Sequence, residues 1–196
     1  FDYLPQSSRL IGLAVADASG HGLPAALQAR DVITGMRMGM QGDLKIIAAI
    51  ERLNRVINMS SLSSRFVSLF YGELETNGNF IYCNAGHPPA LLLHAGSFTE
   101  MTEGGLVLGP NPTAQYQRGF AVLRSGDHVL MYTDGVTEAQ APGEREYGLA
   151  RMKTALRKNV GRSAREIVTA IFKDLADFTS GFPQQDDRTI VVLRKI

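Results

Sequence analysis

The chain has 196 residues, 44% of them hydrophobic and 20% charged, and a formal net charge of +1. Those proportions describe a folding domain with enough length to bury a core, and they exclude a disordered or low-complexity chain. The near-neutral balance offers no electrostatic case for nucleic acid, and no apolar run approaches the ~20 residues that span a bilayer, so neither a nucleic-acid partner nor membrane insertion is expected.

Residues 9–16 are a short apolar run that predicts a buried strand, followed by a glycine-rich turn at 17–22. A long helix is predicted over residues 24–40, with Pro24 suited to a first helical turn. A second helix follows Asp43, where Ile46, Ile50, Leu53 and Ile57 recur at spacings of three and four and mark one buried face. The pattern then changes. Runs at 66–74 and 80–84 flank Asn77-Gly78, a strong hairpin signal. Further strands are predicted at 90–94, 98–101, 115–123 and 128–132, the last two separated by Ser125-Gly126-Asp127. Helices return at 147–158 and 164–178, the latter with Ile167, Val168, Ile171, Phe172, Leu175 and Phe178 on one face. A final strand is predicted at 189–193. Strands in blocks and helices in pairs point to an α+β fold of antiparallel sheets covered by helices, not to a regular βαβ alternation.

Repeats, linkers and low-complexity segments are absent from the sequence, so residues 1–196 read as a single domain. It opens abruptly on Phe1-Asp2-Tyr3-Leu4-Pro5 with no signal peptide, as a piece of something longer would. Cys83, the sole cysteine, allows no intrachain disulfide and no cysteine metal cluster, and a cytoplasmic setting is expected. Arg151, Lys153, Arg157 and Lys158 gather on one predicted helix, where a solvated face is the expected reading.

Three acidic positions share one local context. Asp17 ends a strand and enters Ala18-Ser19-Gly20-His21-Gly22. Asp134 ends the strand through Thr133 and enters Gly135. Asp186-Asp187 precede the last strand. Taken singly, each is equally an ordinary turn aspartate. If their strands are neighbours, the carboxylates converge, and such a group is stable only with cations between them. Oxygen donors of this kind select Mg²⁺ or Mn²⁺ over Zn²⁺. His21 is a candidate general acid, since a histidine pKa suits proton transfer. His87 is expected to shape a cleft wall, with Pro88 and Pro89 stiffening the turn. Asn84 and Ser19 stand beside these motifs with no role assigned to them. Cys83, within a strand, reads as core.

The combination of motifs carries a resemblance. Asp17-Ala18-Ser19-Gly20-His21-Gly22-Leu23-Pro24-Ala25-Ala26, Asn84-Ala85-Gly86-His87-Pro88-Pro89, Leu106-Val107-Leu108-Gly109, Tyr132-Thr133-Asp134-Gly135-Val136-Thr137-Glu138-Ala139 and Asp186-Asp187-Arg188-Thr189 are similar to the blocks of the SpoIIE/RsbU-like branch of the protein phosphatase 2C superfamily, in the same order. The resemblance implies a four-layer central β-sandwich flanked by paired helices, with two ions, Mn²⁺ or Mg²⁺, at one end. By this likeness Asp17 bridges both ions, the Ala18 carbonyl contributes a further oxygen, and Asp134 and Asp186 hold one ion, with Asp187 as a second choice. The three aspartates then act through metal-activated water on a phosphoserine or phosphothreonine. The branch usually carries an earlier aspartate in a Gly-Asp-x-Tyr-Asp segment. Here only Phe1-Asp2 matches its end, so weak binding of the second ion is expected unless Asp2 substitutes.

The resemblance further implies a signalling role in stress or sigma-factor regulation. The expected substrate is an anti-anti-sigma protein of the STAS type, with an upstream sensory domain in the same chain; a homodimer is compatible with it. Two other readings stand beside the enzyme: a phosphatase-like binding module without activity, and a kinase-like or nucleotide-binding domain. The latter lacks a Gly-x-x-x-x-Gly-Lys-Ser/Thr cradle.

Overall fold

The structure is a computed structural model that describes residues 1–20, 22–40, 45–60, 66–143 and 145–196. Its strands and helices divide between two compact units, Phe1–Pro89 with Met101–Leu123, and Ala90–Glu100 with Arg124–Ile196.

The first unit is built on a six-stranded sheet. Strand β1 (Asp2–Ser7) pairs antiparallel with β2 (Leu10–Ala18), β2 with β3 (Val67–Glu75), and β3 with β4 (Asn79–Ala85). In β2 the run Leu13, Ala14 and Val15 is wholly buried, as its continuous apolar pattern predicts. Helices α1 (Leu23–Met40) and α2 (Ile46–Ser60) pack on this sheet. The predicted stripe on α2 holds: Ile46, Ile50, Leu53 and Ile57 are all buried, in one cluster with Leu4, Met36, Leu69, Tyr71 and Cys83. Burial pushes the Cys83 thiol up to about 12, consistent with a core residue and not a nucleophile.

The second unit has a four-stranded sheet in the order β12-β9-β5-β6, comprising β5 (Ala90–His94), β6 (Ser97–Met101), β9 (His128–Tyr132) and β12 (Ile190–Arg194). Helices α4 (Gly148–Lys158) and α5 (Ala164–Thr179) pack together, and α5 lies on β12. Ile167, Ile171 and Leu175 of α5 are buried, with Val168, Phe172 and Phe178 partly so. The α5 N-terminus carries a capping box: Ser163 Oγ accepts from the Glu166 N–H, and the Glu166 carboxylate accepts from the Ser163 N–H. Three of the basic residues on α4 are engaged locally. Arg151 pairs with Asp174 at 2.9 Å, Lys153 with Glu100 at 2.8 Å, and Arg157 donates to the Gly96 carbonyl.

The strand expected over residues 115–123 is shorter than predicted. Only β8 (Gly119–Val122) pairs, with β4. Residues 115–118 stay outside the sheet because Tyr116 turns into the core and Gln117 N–H donates to the Gly104 carbonyl. Residues 2–7, in contrast, form a strand that the sequence pattern hides. Pro5 interrupts it, tolerable because β1 stands at the sheet edge. Strand pairs of two residues, β7 (Gly104–Gly105) and the hairpin β10 (Gln140–Ala141) with β11 (Arg145–Glu146), and the one-turn α3 (Asp134–Thr137), are too short to carry a readable period. No helix among the described residues is long and apolar enough to cross a membrane.

Candidate metal centre

Asp17 is the penultimate residue of β2 and stands opposite Ser68 of β3, with Ala18 opposite Val67. The chain then leaves the sheet at Gly20, whose φ of 89° is a left-handed conformation that glycine adopts without strain. The turn delivers the chain to α1.

Asp134 opens α3 directly after β9 and Thr133. One of its carboxylate oxygens accepts from the Gly135 N–H at 2.9 Å, and its carbonyl accepts from the Glu138 N–H at 2.8 Å. Thr133 is buried and ties this turn to the segment before β12: its hydroxyl donates to the Asp187 carbonyl at 3.1 Å and accepts from the Thr189 N–H at 2.9 Å. Position 135 admits only glycine, because a Cβ there would stand 2.3 Å from the Asp187 carbonyl oxygen. Thr133 and Gly135 thus draw the segment of Asp186 against that of Asp134. Asp186 is itself exposed; its carboxylate accepts from the Asp187 N–H at 2.7 Å and its carbonyl from the Gln184 side chain at 2.8 Å.

Within the second unit, Asp134 and Asp186 each offer one carboxylate oxygen, and the two atoms lie within 4.8 Å of each other. Two like charges at that spacing repel, and a divalent cation relieves the repulsion. The donors are oxygens only, the hard set that suits Mg²⁺ or Mn²⁺. Asp187 is outside this group and exposed, its carbonyl taken by Thr133. His21 lies outside the described residues. Asp2 is held elsewhere: Arg37 of α1 grips it in a two-pronged bond, Nε to Oδ2 at 2.9 Å and Nη2 to Oδ1 at 3.1 Å. The Arg37 hydrogen bond holds the Asp2 carboxyl below the usual carboxylate range.

Each unit carries one further polar feature. His87 is buried, with Nδ1 2.8 Å from the Ser68 hydroxyl, while Asn84 brackets its backbone: Asn84 Oδ1 accepts from the His87 N–H at 2.7 Å and Nδ2 donates to the His87 carbonyl at 2.9 Å. In the second unit, a polar cavity of about 240 Å³ beside Asp186 is lined by Glu138, Gln140, Glu146, Gln185 and Arg188. Burial, and then the charges of Asp134, Glu146 and Asp186, push the Glu138 carboxyl up. No sequence motif marks this cavity as a whole. Its one signal was Glu138, four residues after Asp134 in the same block, but the hairpin that supplies Gln140 and Glu146 leaves no mark in the pattern.

The family model described as Stage II sporulation protein E (SpoIIE) matches residues 7–195. RsbU, named a phosphoserine phosphatase, from Bacillus subtilis (strain 168) is 29% identical over 191 residues, which cover 94% of this chain and 56% of RsbU. The chain thus spans little more than half the length of that relative. The structure of the RsbU and RsbW domains of Rv1364c from Mycobacterium tuberculosis is 29% identical and superposes with a TM-score of 0.82, covering 100% of this chain and 54% of that one. The SiaA-PP2C domain of Pseudomonas aeruginosa, 20% identical, reaches a TM-score of 0.84 over 98% of this chain and 78% of its own, a likeness of fold.

Proposed function

This chain belongs to the SpoIIE family, and on that premise we propose that it is a divalent-metal-dependent phosphatase that hydrolyses phosphoserine or phosphothreonine on a regulatory protein. The observation that carries the reading is the approach of the Asp134 and Asp186 carboxylate oxygens to within 4.8 Å in a chain that matches the family model over residues 7–195. These carboxylates, joined by Asp17 and the Ala18 carbonyl on family likeness, would hold Mn²⁺ or Mg²⁺, two ions by the same likeness, and Asp187 is the reserve ligand. Cations bound there supply charge neutralisation for a phosphoryl group and acidify water. The protein's own share is positional. Thr133 and Gly135 set Asp134 against Asp186, and β2 carries Asp17. Such preorganisation matters for a phosphate monoester, one of the slowest bonds to break in water.

The likeness to RsbU, a phosphoserine phosphatase, supports a serine-phosphorylated protein as substrate. We place a STAS-type anti-anti-sigma factor first, within a partner-switching circuit read by an upstream sensory domain. The fork of Arg37 on Asp2 favours one departure from the family: Asp2 is engaged in an ion pair and is a poor substitute for the second-ion ligand.

The test is phosphate release from a phosphoserine protein with and without Mn²⁺, in wild type and Asp17→Asn. Release that requires Mn²⁺ and disappears in the variant is the expected result. A folded, Mn²⁺-loaded protein that releases nothing would replace the enzyme with a binding module.

A further inference from the structure

The segment that carries Asp17 and Ala18 is fastened by a contact that involves no carboxylate. The β2–β3 ladder ends with Ala18 opposite Val67. One residue beyond, the Ser19 N–H donates to the Phe66 carbonyl at 2.9 Å, as a continued ladder would require. The return bond is different. The Phe66 N–H donates to the Ser19 side-chain Oγ at 2.9 Å, and not to a backbone carbonyl. The hydroxyl therefore stands in for a main-chain acceptor at the point where the backbone turns away at Gly20. A strand can end and a turn begin there without leaving the Phe66 N–H unpaired.

The same end of β3 carries a second side-chain hydrogen bond. Ser68, opposite Asp17, has its hydroxyl 2.8 Å from Nδ1 of the buried His87, whose backbone Asn84 clamps in both directions. Phe66 and Ser68 thus both hold side-chain hydrogen bonds at this end of β3, and Ser19 is the side chain that latches the turn to it.

We propose that Ser19 is a positioning residue for the metal centre, its hydroxyl holding the Asp17 carboxylate and the Ala18 carbonyl in the attitude that ligates a cation. The inference rests on the reading of Asp17 and Ala18 as ligands given above. Ser19 touches neither substrate nor metal in this scheme; it acts through Phe66. Without the hydroxyl, water takes over the Phe66 N–H, the turn gains freedom, and ligand geometry loosens before the fold does. Threonine keeps the oxygen, so it restores the latch.

The experiment compares wild type, Ser19→Ala and Ser19→Thr by calorimetric titration with Mn²⁺ alone, together with amide hydrogen exchange at Phe66 in metal-free protein. Ser19 is only half-buried and belongs to no apolar cluster, so both variants are expected to fold, and a metal-free melt verifies it. Loss of one hydrogen bond predicts Mn²⁺ affinity about 5- to 10-fold weaker in Ser19→Ala, with faster exchange at Phe66. Ser19→Thr is expected to stay within about twofold of wild type, the range of a neutral surface change. Equal Mn²⁺ affinity in wild type and Ser19→Ala overturns the inference and leaves the metal centre standing. Weakened binding that threonine does not rescue overturns it as well, since the hydroxyl is then not the active feature. A wild type that takes up no Mn²⁺ removes the metal reading itself, and the latch with it.

Discussion

Two residues in the candidate centre make opposite kinds of demand. Asp17 is wanted for its charge. Replacing it by asparagine keeps the shape and removes the anionic donor, and phosphatase activity is expected to fall by more than ~100-fold, the upper end of what loss of a supporting group alone costs a metal site. Steady-state phosphate release at fixed Mn²⁺ measures it. Gly135 is wanted for its emptiness. A methyl group there would have to displace the Asp187 carbonyl, now 2.3 Å from the position of that Cβ. Gly135→Ala should therefore destabilise the protein by about 1–3 kcal/mol, as overpacking does, and weaken Mn²⁺ binding by moving Asp186. A denaturant midpoint reads the first effect and calorimetry the second. His128 supplies the pH dependence. Burial, and then the Arg194 charge, push its pKa down in the folded state. The unfolded chain takes up that proton first, near the ordinary value of about 6.5, so stability is complete above that pH and declines as pH falls below it. Urea midpoints measured at pH 7.5 and at pH 5.5 should differ in that direction, and His128→Phe should flatten the difference.

Among the elements, α5 gives the cleanest ledger. Its buried face was evident from the spacing of Ile167, Ile171 and Leu175, and those are the residues at its core. Truncating Ile171 to alanine is expected to cost about 2–5 kcal/mol through lost burial and the cavity left behind, measurable by urea unfolding. Elements of two to four residues behaved differently. The hairpin of β10 and β11 and the single turn α3 have no period to detect, yet they supply the polar cavity and the Asp134 turn. β1 was hidden for another reason: an edge strand satisfies only one side of its backbone, so it accepts Pro5 and polar residues that a central strand would refuse.

For the molecule as a whole, the proposed centre would link folding to metal. Carboxylates that repel one another when empty bind cations only in the folded chain, so Mn²⁺ at about 100 times its dissociation constant should add about 2.7 kcal/mol of stability. For a chain of this size that is a rise in melting temperature of roughly 5–10 °C, read by a thermal melt with and without Mn²⁺. Asp186→Asn should abolish most of that rise. Absence of any Mn²⁺-dependent shift in the wild type would contradict the proposed centre.

The amino-acid sequence alone determined the elements long enough to show a period and the α+β class, because strand ends, glycine turns and helix faces are local properties of the chain. It could not determine that Thr133 and Gly135 bind the segment of Asp186 to that of Asp134, that Arg37 claims Asp2, or that a serine hydroxyl completes the β3 ladder at Phe66. Those are contacts between residues 35 to 54 positions apart in the chain. Only tertiary structure decides them, since hydrogen-bond partners and the space at a missing Cβ depend on which segments fold against each other, and no local pattern records that choice.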